Sequence, residues 1–228
     1  MLVLRANQVV SIDDLVDGLW GQAPPDSATN AVQVYVSRLR KLLHPDPQEG
    51  SVASVLVRRR PGYLLELDTD ELDLARFERL THQGTRALRP APGVAAAKLR
   101  EALGLWRGPP LAEFTDEPFA QAERARLEEQ RLTVVQARIE ADLALGRHAE
   151  LVGELEALVA RHPLREELHQ QLLVSLYRSG RQAEALEAYR RVRQTLTEEL
   201  GIDPGRALQE LQVAILAQDR RLDWTPAA

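Results

Sequence analysis

The sequence predicts a mainly α-helical chain in two parts: a helix pair followed by a β-hairpin, then an all-helical array. Three observations carry this. Residues 26–43 show one long amphipathic helical pattern, and residues 55–67 alternate in hydropathy around a Pro61-Gly62 turn. Beyond residue 68 no segment alternates like a strand, and a helical-hairpin motif recurs at an offset of 34 residues.

At 228 residues and 44% hydrophobic content, the chain can build one or two cores. No apolar run approaches the roughly 18 residues of a membrane helix, and the start lacks the basic, apolar and small-residue zones of a signal peptide. The absence of cysteine removes disulfide and thiolate chemistry and fits a cytoplasmic protein. A net charge of −5 argues against a nucleic-acid partner if it is evenly spread. It is not. Between Ser27 and Tyr63, six basic side chains (Arg38, Arg40, Lys41, Arg58, Arg59, Arg60) face two acidic ones (Asp46, Glu49), which makes a local positive footprint.

Ser11-Ile-Asp-Asp14 matches a capping box, with the Ser11 hydroxyl facing free first-turn amides and Asp14 favourably placed in the helix dipole. Ile12, Leu15, Val16 and Leu19 follow at i, i+3, i+4 and i+7, and Gly21 through Pro25 ends that helix. A second helix starts at Asp26 or Ser27, either able to cap it, and runs to Leu43. Ala28, Val32, Tyr35, Val36, Leu39 and Leu43 gather on its inner side, and Asn30, Gln33, Val34, Ser37, Arg40 and Lys41 on the other. Amides, a hydroxyl and cations are the groups that read base edges or hold phosphates. They are also what any solvated helix face carries.

The segment that follows sharpens the choice. Val55, Val57, Tyr63, Leu65 and Leu67 are expected on one face of a hairpin whose tip holds Arg58, Arg59 and Arg60. Guanidinium groups there can enter a minor groove or rest on phosphates. A polar-faced helix with a basic hairpin shortly after it is the pattern of a winged helix-turn-helix. Asp68–Asp73 is a plausible hinge, so residues 1–68 are expected to form a DNA-binding domain, 69–221 a helical domain, and 222–228 a tail. Helices are expected over 72–89, 92–106, 118–145, 148–161, 165–179, 182–199 and 204–221.

Leu145-Gly-Arg-His-Ala-Glu150 recurs as Ser179-Gly-Arg-Gln-Ala-Glu184. A 34-residue helix–turn–helix period is that of tetratricopeptide-like stacking, and a third unit near Pro204 drifts out of register. Nothing points to catalysis. His44, His82, His148, His162 and His169 lack metal-site spacing, and His162 and His169 read as surface histidines. Neither a phosphate-cradling glycine loop nor a nucleophile elbow is present, so no metal, cofactor or enzyme activity is expected. Trp106, Phe114 and Phe119 read as aromatics that pin the irregular 107–119 stretch to its helices, with a ligand pocket the alternative.

Taken together, the motifs resemble those of the Streptomyces antibiotic regulatory proteins, which join an OmpR-type winged helix to a bacterial transcriptional activator domain. The winged-helix matches are Ala31-Val-Gln-Val-Tyr-Val-Ser-Arg-Leu-Arg40 and Arg59-Arg-Pro-Gly-Tyr63. Those of the activator domain include Ala102-Leu-Gly-Leu-Trp-Arg-Gly-Pro-Pro-Leu111, Ala141–Glu150, Leu173–Leu186 and Glu199-Leu-Gly-Ile-Asp-Pro204. The resemblance implies a transcriptional activator of an antibiotic gene cluster that binds direct repeats in double-stranded promoter DNA and engages RNA polymerase holoenzyme. It places Asn30, Gln33, Val34, Ser37 and Arg38 nearest the bases, Tyr35, Arg40 and Lys41 near phosphates, and Arg58, Arg59 and Arg60 on the wing. It also implies self-association through the helical domain as a homodimer, and no membrane. Family members begin with a small N-terminal sheet and a complete first helix, so the winged helix here is expected to be incomplete, with Ile12, Leu15, Val16 and Leu19 under-covered. A helical interaction scaffold with an inactive winged helix is the alternative reading.

Overall fold

The structure is a computed structural model that describes residues 1–43, 55–68, 71–114 and 117–225. His44, Asp46 and Glu49 lie outside the described residues. Two compact units form: one takes Met1–Arg76 together with Trp106–Glu129, the other Phe77–Leu105 and the chain from Gln130 on.

In the first unit a 3-10 turn, Val3–Arg5, leads to strand β1, Val9–Ser11, and directly to helix α1, Ile12–Trp20. The expected cap forms: Ser11 Oγ accepts a hydrogen bond from the Asp14 N–H at 2.9 Å, and Gly21, with φ of 58°, stops the helix. Helix α2, Ala28–Leu43, opens on Ser27, whose carbonyl accepts from the Ala31 N–H at 2.9 Å. Strands β2, Leu56–Arg59, and β3, Gly62–Leu65, form the hairpin. The sheet order is β1-β3-β2, all antiparallel, with Val10 and Arg58 both opposite Tyr63 and Leu56 opposite Leu65. Val10, Leu15, Val32, Val36, Leu56, Tyr63 and Leu65 make the core, each large apolar side chain contributing roughly 1.5–3 kcal/mol by burial.

Three expectations change here. The buried stripe of α2 is only Ala28, Val32 and Val36, while Tyr35, Leu39 and Leu43 are exposed, because the small sheet and α1 cover a narrow sector of the helix. In the hairpin Leu56, not Val57, shares the inner face with Tyr63 and Leu65; Val57 pairs outward with Leu64. A one-residue difference in strand parity exchanges faces, and it is set by the register across the turn, which hydropathy alternation in either strand does not define. Finally, Leu15 is covered: Ile12 and Val16 pack on the same cluster, Met1 and Leu2 close over it, and the Met1 side chain fills the space above Gly18. Only Leu19 of that face is open, at 45% exposure.

The second unit is built from α3, Asp73–Ala87 (from Phe77 on), α4, Pro92–Leu103, the later part of α5, Pro118–Ala144, then α6, His148–Arg161, α7, Glu166–Arg178, α8, Gln182–Leu200, and α9, Arg206–Leu216. The boundaries follow the sequence expectation to within two residues except at α4, which ends at Leu103 rather than 106, and at the last helix, which ends at Leu216 rather than 221. Gly84 lets α4 approach α3: an added Cβ would sit 2.6 Å from Leu99. The main core runs from Leu132 through Ile139, Leu155, Leu168, Leu172, Leu176, Val192 and Leu208 to Ile215.

The repeat holds at the level of single hydrogen bonds. Gly146 and Gly180 have φ of 80° and 76°, a left-handed turn that costs glycine nothing. After them the Arg147 N–H reaches back to the Asp142 carbonyl at 3.0 Å and the Arg181 N–H to Leu176 at 2.9 Å. The drifting third unit proves to end in the same way: Gln218, φ 50°, takes the glycine position, and the Asp219 N–H bonds the Ala214 carbonyl at 3.0 Å. Its sequence hides this, because glutamine stands where the other turns have glycine. A further 3-10 turn, Arg220–Leu222, leads into the expected tail, where Trp224 donates its indole N–H to the Ala144 carbonyl. His169, expected at the surface, is buried, with its Nε2 2.9 Å from the Pro163 carbonyl; it lies three, four and seven residues before the buried Leu172, Leu173 and Leu176 and so on the inner side of α7.

Candidate nucleic-acid interface

The site grows out of the way α2 is held. Val32 and Val36 anchor it to α1 and the sheet, which leaves the opposite side to solvent. At 100° per residue, Gln33, Ser37, Asn30, Lys41, Val34 and Arg38 occupy a sector of about 140° there. All six are exposed, Val34 at 47%. Every base-contact residue expected from the sequence therefore lies on one face. Two amides, a hydroxyl and a guanidinium offer donors and acceptors to base edges, and the Val34 methyl groups suit a thymine methyl.

Tyr35 stands on the flank of this face. Its ring stacks on Trp20 of α1, with centroids 6.4 Å apart and planes 22° from parallel, yet it stays 44% exposed. This resolves a conflict in the helical wheel, which puts Tyr35 inward: the ring packs laterally against α1 instead of entering the core. Trp20 was not singled out from the sequence, since only packing brings the end of α1 beside α2.

On the wing, Arg58 and Arg59 close β2 and Arg60 stands in the turn; all three are exposed. Successive strand residues point to opposite faces, so Arg58 and Arg59 flank the hairpin on its two sides. Gly62 permits this geometry because β3 passes so close to β1 that an added Cβ would lie 1.8 Å from the Val10 carbonyl oxygen. β1 was missed in the sequence, being three residues long and too short to show a period.

Arg40 is placed differently from its neighbours. It is half-buried, its Nε donating to the Leu56 carbonyl at 2.8 Å and its guanidinium carbon 6.0 Å from the centre of the Tyr63 ring. The structure thus brings together Asn30, Gln33, Val34, Ser37, Arg38 and Lys41 on one face, sets Tyr35 on the flank and Arg58–Arg60 on the hairpin, and turns Arg40 inward between helix and wing. Among the described residues no three side chains are grouped to hold a metal ion, and no helix is long and apolar enough to cross a membrane. The aromatic pair Phe114 and Phe119 meets at 6.0 Å, between the 3-10 turn Ala112–Phe114 and the start of α5.

Comparison with known proteins places these features in a family. The pattern of the transcriptional regulatory protein C-terminal domain matches residues 1–65, and that of the bacterial transcriptional activator domain matches residues 72–216. Regulatory protein DnrI of Streptomyces peucetius is 44% identical over 227 residues, covering 98% of this chain and 84% of its own length. Transcriptional regulator RedD of Streptomyces coelicolor is 42% identical over 222 residues, which is 96% of this chain and 62% of RedD. The solved structure of Mycobacterium tuberculosis EmbR in complex with a low affinity phosphopeptide superposes with a TM-score of 0.89 at 40% identity, over 96% of this chain and 57% of that one. The chain thus spans less than two thirds of RedD and of EmbR. The chain belongs to the bacterial transcriptional activator domain family of DNA-binding transcriptional regulators, in the two-part arrangement of the Streptomyces antibiotic regulatory proteins.

Proposed function

We propose that the protein is a cytoplasmic, sequence-specific activator of a secondary-metabolite gene cluster that binds direct repeats beside a promoter. In this reading residues 1–68 are the reader and 69–221 the helical domain, with 222–228 following it. The α2 face enters the major groove with Asn30, Gln33, Val34, Ser37 and Arg38 toward the bases. Tyr35 and Lys41 lie near phosphates, with Arg58, Arg59 and Arg60 on the flank of the site. The helical domain supplies contacts to RNA polymerase holoenzyme and self-association as a homodimer, and no catalysis is involved.

The observation that carries the reading is the joint exposure of those side chains opposite Val32 and Val36, on a helix followed by a hairpin tipped with three arginines. Phosphate neutralisation releases counterions, so affinity falls with salt by a slope of about 0.9 per phosphate contacted. Selectivity comes from the base edges, about 1–3 kcal/mol for each well-made bidentate contact.

The test is fluorescence anisotropy on a duplex carrying direct repeats from the gene's own cluster, against a scrambled duplex, at two salt concentrations. Selective, salt-dependent binding that Arg38→Ala reduces about ten-fold or more on the repeat duplex supports the reading. Weak, indiscriminate binding, unchanged by Arg38→Ala and Arg59→Ala, overturns it and leaves the helical domain as an interaction scaffold.

A further inference from the structure

The last two turns of α2 carry three cations, Arg38, Arg40 and Lys41, and only Arg40 is withdrawn from solvent. Its two partners belong to the core. Leu56, whose carbonyl takes the Arg40 Nε–H at 2.8 Å, is 1% exposed and opens β2; Tyr63, whose ring lies 6.0 Å from the guanidinium carbon, is 3% exposed and stands in β3 directly opposite Arg58. One side chain of the reading helix therefore grips both strands of the wing. Leu56 and Tyr63 are themselves packed with Val32 and Val36 of α2, so the grip closes a ring of contacts around the core rather than adding a loose surface bond.

We propose that Arg40 is a positioning residue that sets the angle of the wing to α2, and so the distance between base reading by the helix and the contacts of the wing arginines. The inference rests on the reading of α2 and the hairpin as the DNA interface. Its physical basis is leverage. From Leu56 to Arg59 the strand extends about 10 Å at roughly 3.3 Å per residue, so a rotation of about 10° at Leu56 moves the tip by about 2 Å. A hydrogen bond to a phosphate tolerates only a few tenths of an ångström around 2.9 Å. Arginine suits the position because it combines a side-facing Nε–H with a planar group that can lie on an aromatic ring; lysine has the charge but neither of these.

Arg40→Lys and Arg40→Met separate this role from simple phosphate binding. Both variants are expected to lose about ten-fold or more of their affinity for the repeat duplex, with the salt slope on scrambled DNA unchanged. In a background with Arg58, Arg59 and Arg60 all replaced by Ala, Arg40→Met should cost less than two-fold, since the contacts it positions are already gone. Arg40→Lys binding like the unaltered protein, together with an Arg40→Met slope lower by about 0.9 and effects additive with the triple replacement of the wing arginines, overturns the proposal and makes Arg40 an ordinary phosphate ligand.

A second measurement needs no DNA. The chain has no cysteine, so nitroxide labels on Leu42→Cys and Arg60→Cys report the helix-to-wing distance cleanly. A narrow distance distribution that broadens or shifts in Arg40→Met supports the proposal, and an unchanged distribution sinks it. If the full chain shows no preference for the repeat duplex, the functional reading fails, while this distance still decides whether Arg40 sets the wing.

Discussion

Trp224 donates its indole N–H to the carbonyl of Ala144, 80 residues earlier in the chain, at 2.9 Å. Its ring lies across the turn at Gly146, where an added Cβ would come within 2.7 Å of it, and meets the His148 ring edge-on at 6.1 Å. Arg178 fastens the same segment, its Nε donating to the Leu222 carbonyl at 2.8 Å. The C-terminal segment thus closes the first repeat turn.

The two repeat glycines offer an internal control. Gly146→Ala and Gly180→Ala meet the same left-handed backbone penalty, about 1–2 kcal/mol, but nothing lies within 4 Å of a Cβ at Gly180. Gly146→Ala is therefore expected to cost about 1 kcal/mol more than Gly180→Ala, the excess disappearing in a Trp224→Ala background. Urea denaturation monitored by circular dichroism measures the difference. Equal losses in both glycine variants would mean that Trp224 does not press on the turn.

Gly62→Ala should collapse the wing. The new Cβ would meet the Val10 carbonyl oxygen and, at 2.7 Å, the Ser11 Cα, and backbone atoms on both sides cannot step aside without parting β1 from β3. A loss of about 3 kcal/mol or more in the first unit is expected, at the upper end for overpacking. Selective DNA binding should vanish while most of the helical signal persists. Retained binding at wild-type affinity would show that β1 is not needed for the interface.

Asp142 is the hub of an ion cluster in the second unit. Its side chain is 3% exposed and accepts from Arg100, from Arg147 at 3.4 Å and from Arg138 at 3.5 Å; Arg138 also pairs with Glu154. Asp142→Asn removes the charge that compensates a nearly buried guanidinium. Breaking such a pair costs about 3–5 kcal/mol when fully buried, but Arg100 and Arg147 reach water, so about 2–4 kcal/mol is expected. A shift in urea midpoint equivalent to less than about 1 kcal/mol would show that Glu154 alone holds Arg138.

Acid should loosen the helical unit through His169. Burial lowers the pKa of this imidazole below its ordinary 6.5 despite the opposing pull of the Pro163 carbonyl and Glu166; Arg191 adds to the lowering. His148 moves the same way, through burial and then Arg178. A histidine whose folded pKa is depressed binds its proton more readily in the unfolded chain. Its stabilisation is full above about pH 6.5 and is lost as the pH falls toward the folded pKa. Thermal melting at pH 7.5 and 5.5 should show a lower midpoint in acid, and a smaller drop for His169→Gln. An identical drop in that variant would acquit His169.

Much of this protein was legible locally. The Ser11 cap, the helices from α3 to α8 and the 34-residue echo of Gly146 in Gly180 are written in neighbouring residues, because helix hydrogen bonds and caps join groups only a few positions apart. The outward face of α2 was readable for the same reason: once a helix is assumed and Val32 and Val36 are taken as its inner side, Asn30, Gln33, Ser37 and Arg38 can only point away from them. Gln218 escaped notice because its left-handed turn is held by bonds from its neighbours rather than by the residue type that usually marks one.

Tertiary contacts decided the rest. They turned Arg40 inward while Arg38 and Lys41 stayed in water, exchanged Leu56 for Val57 on the inner face of the hairpin, stacked Tyr35 on Trp20, and brought Trp224 back to Ala144. Each joins groups well separated in the chain, and in each the free energy depends on which surfaces meet rather than on the order of residues within one element. Periodicity along the chain tells which side of a helix or strand is apolar; what lies against that side, and which cation is drawn into it, is settled only when the elements pack.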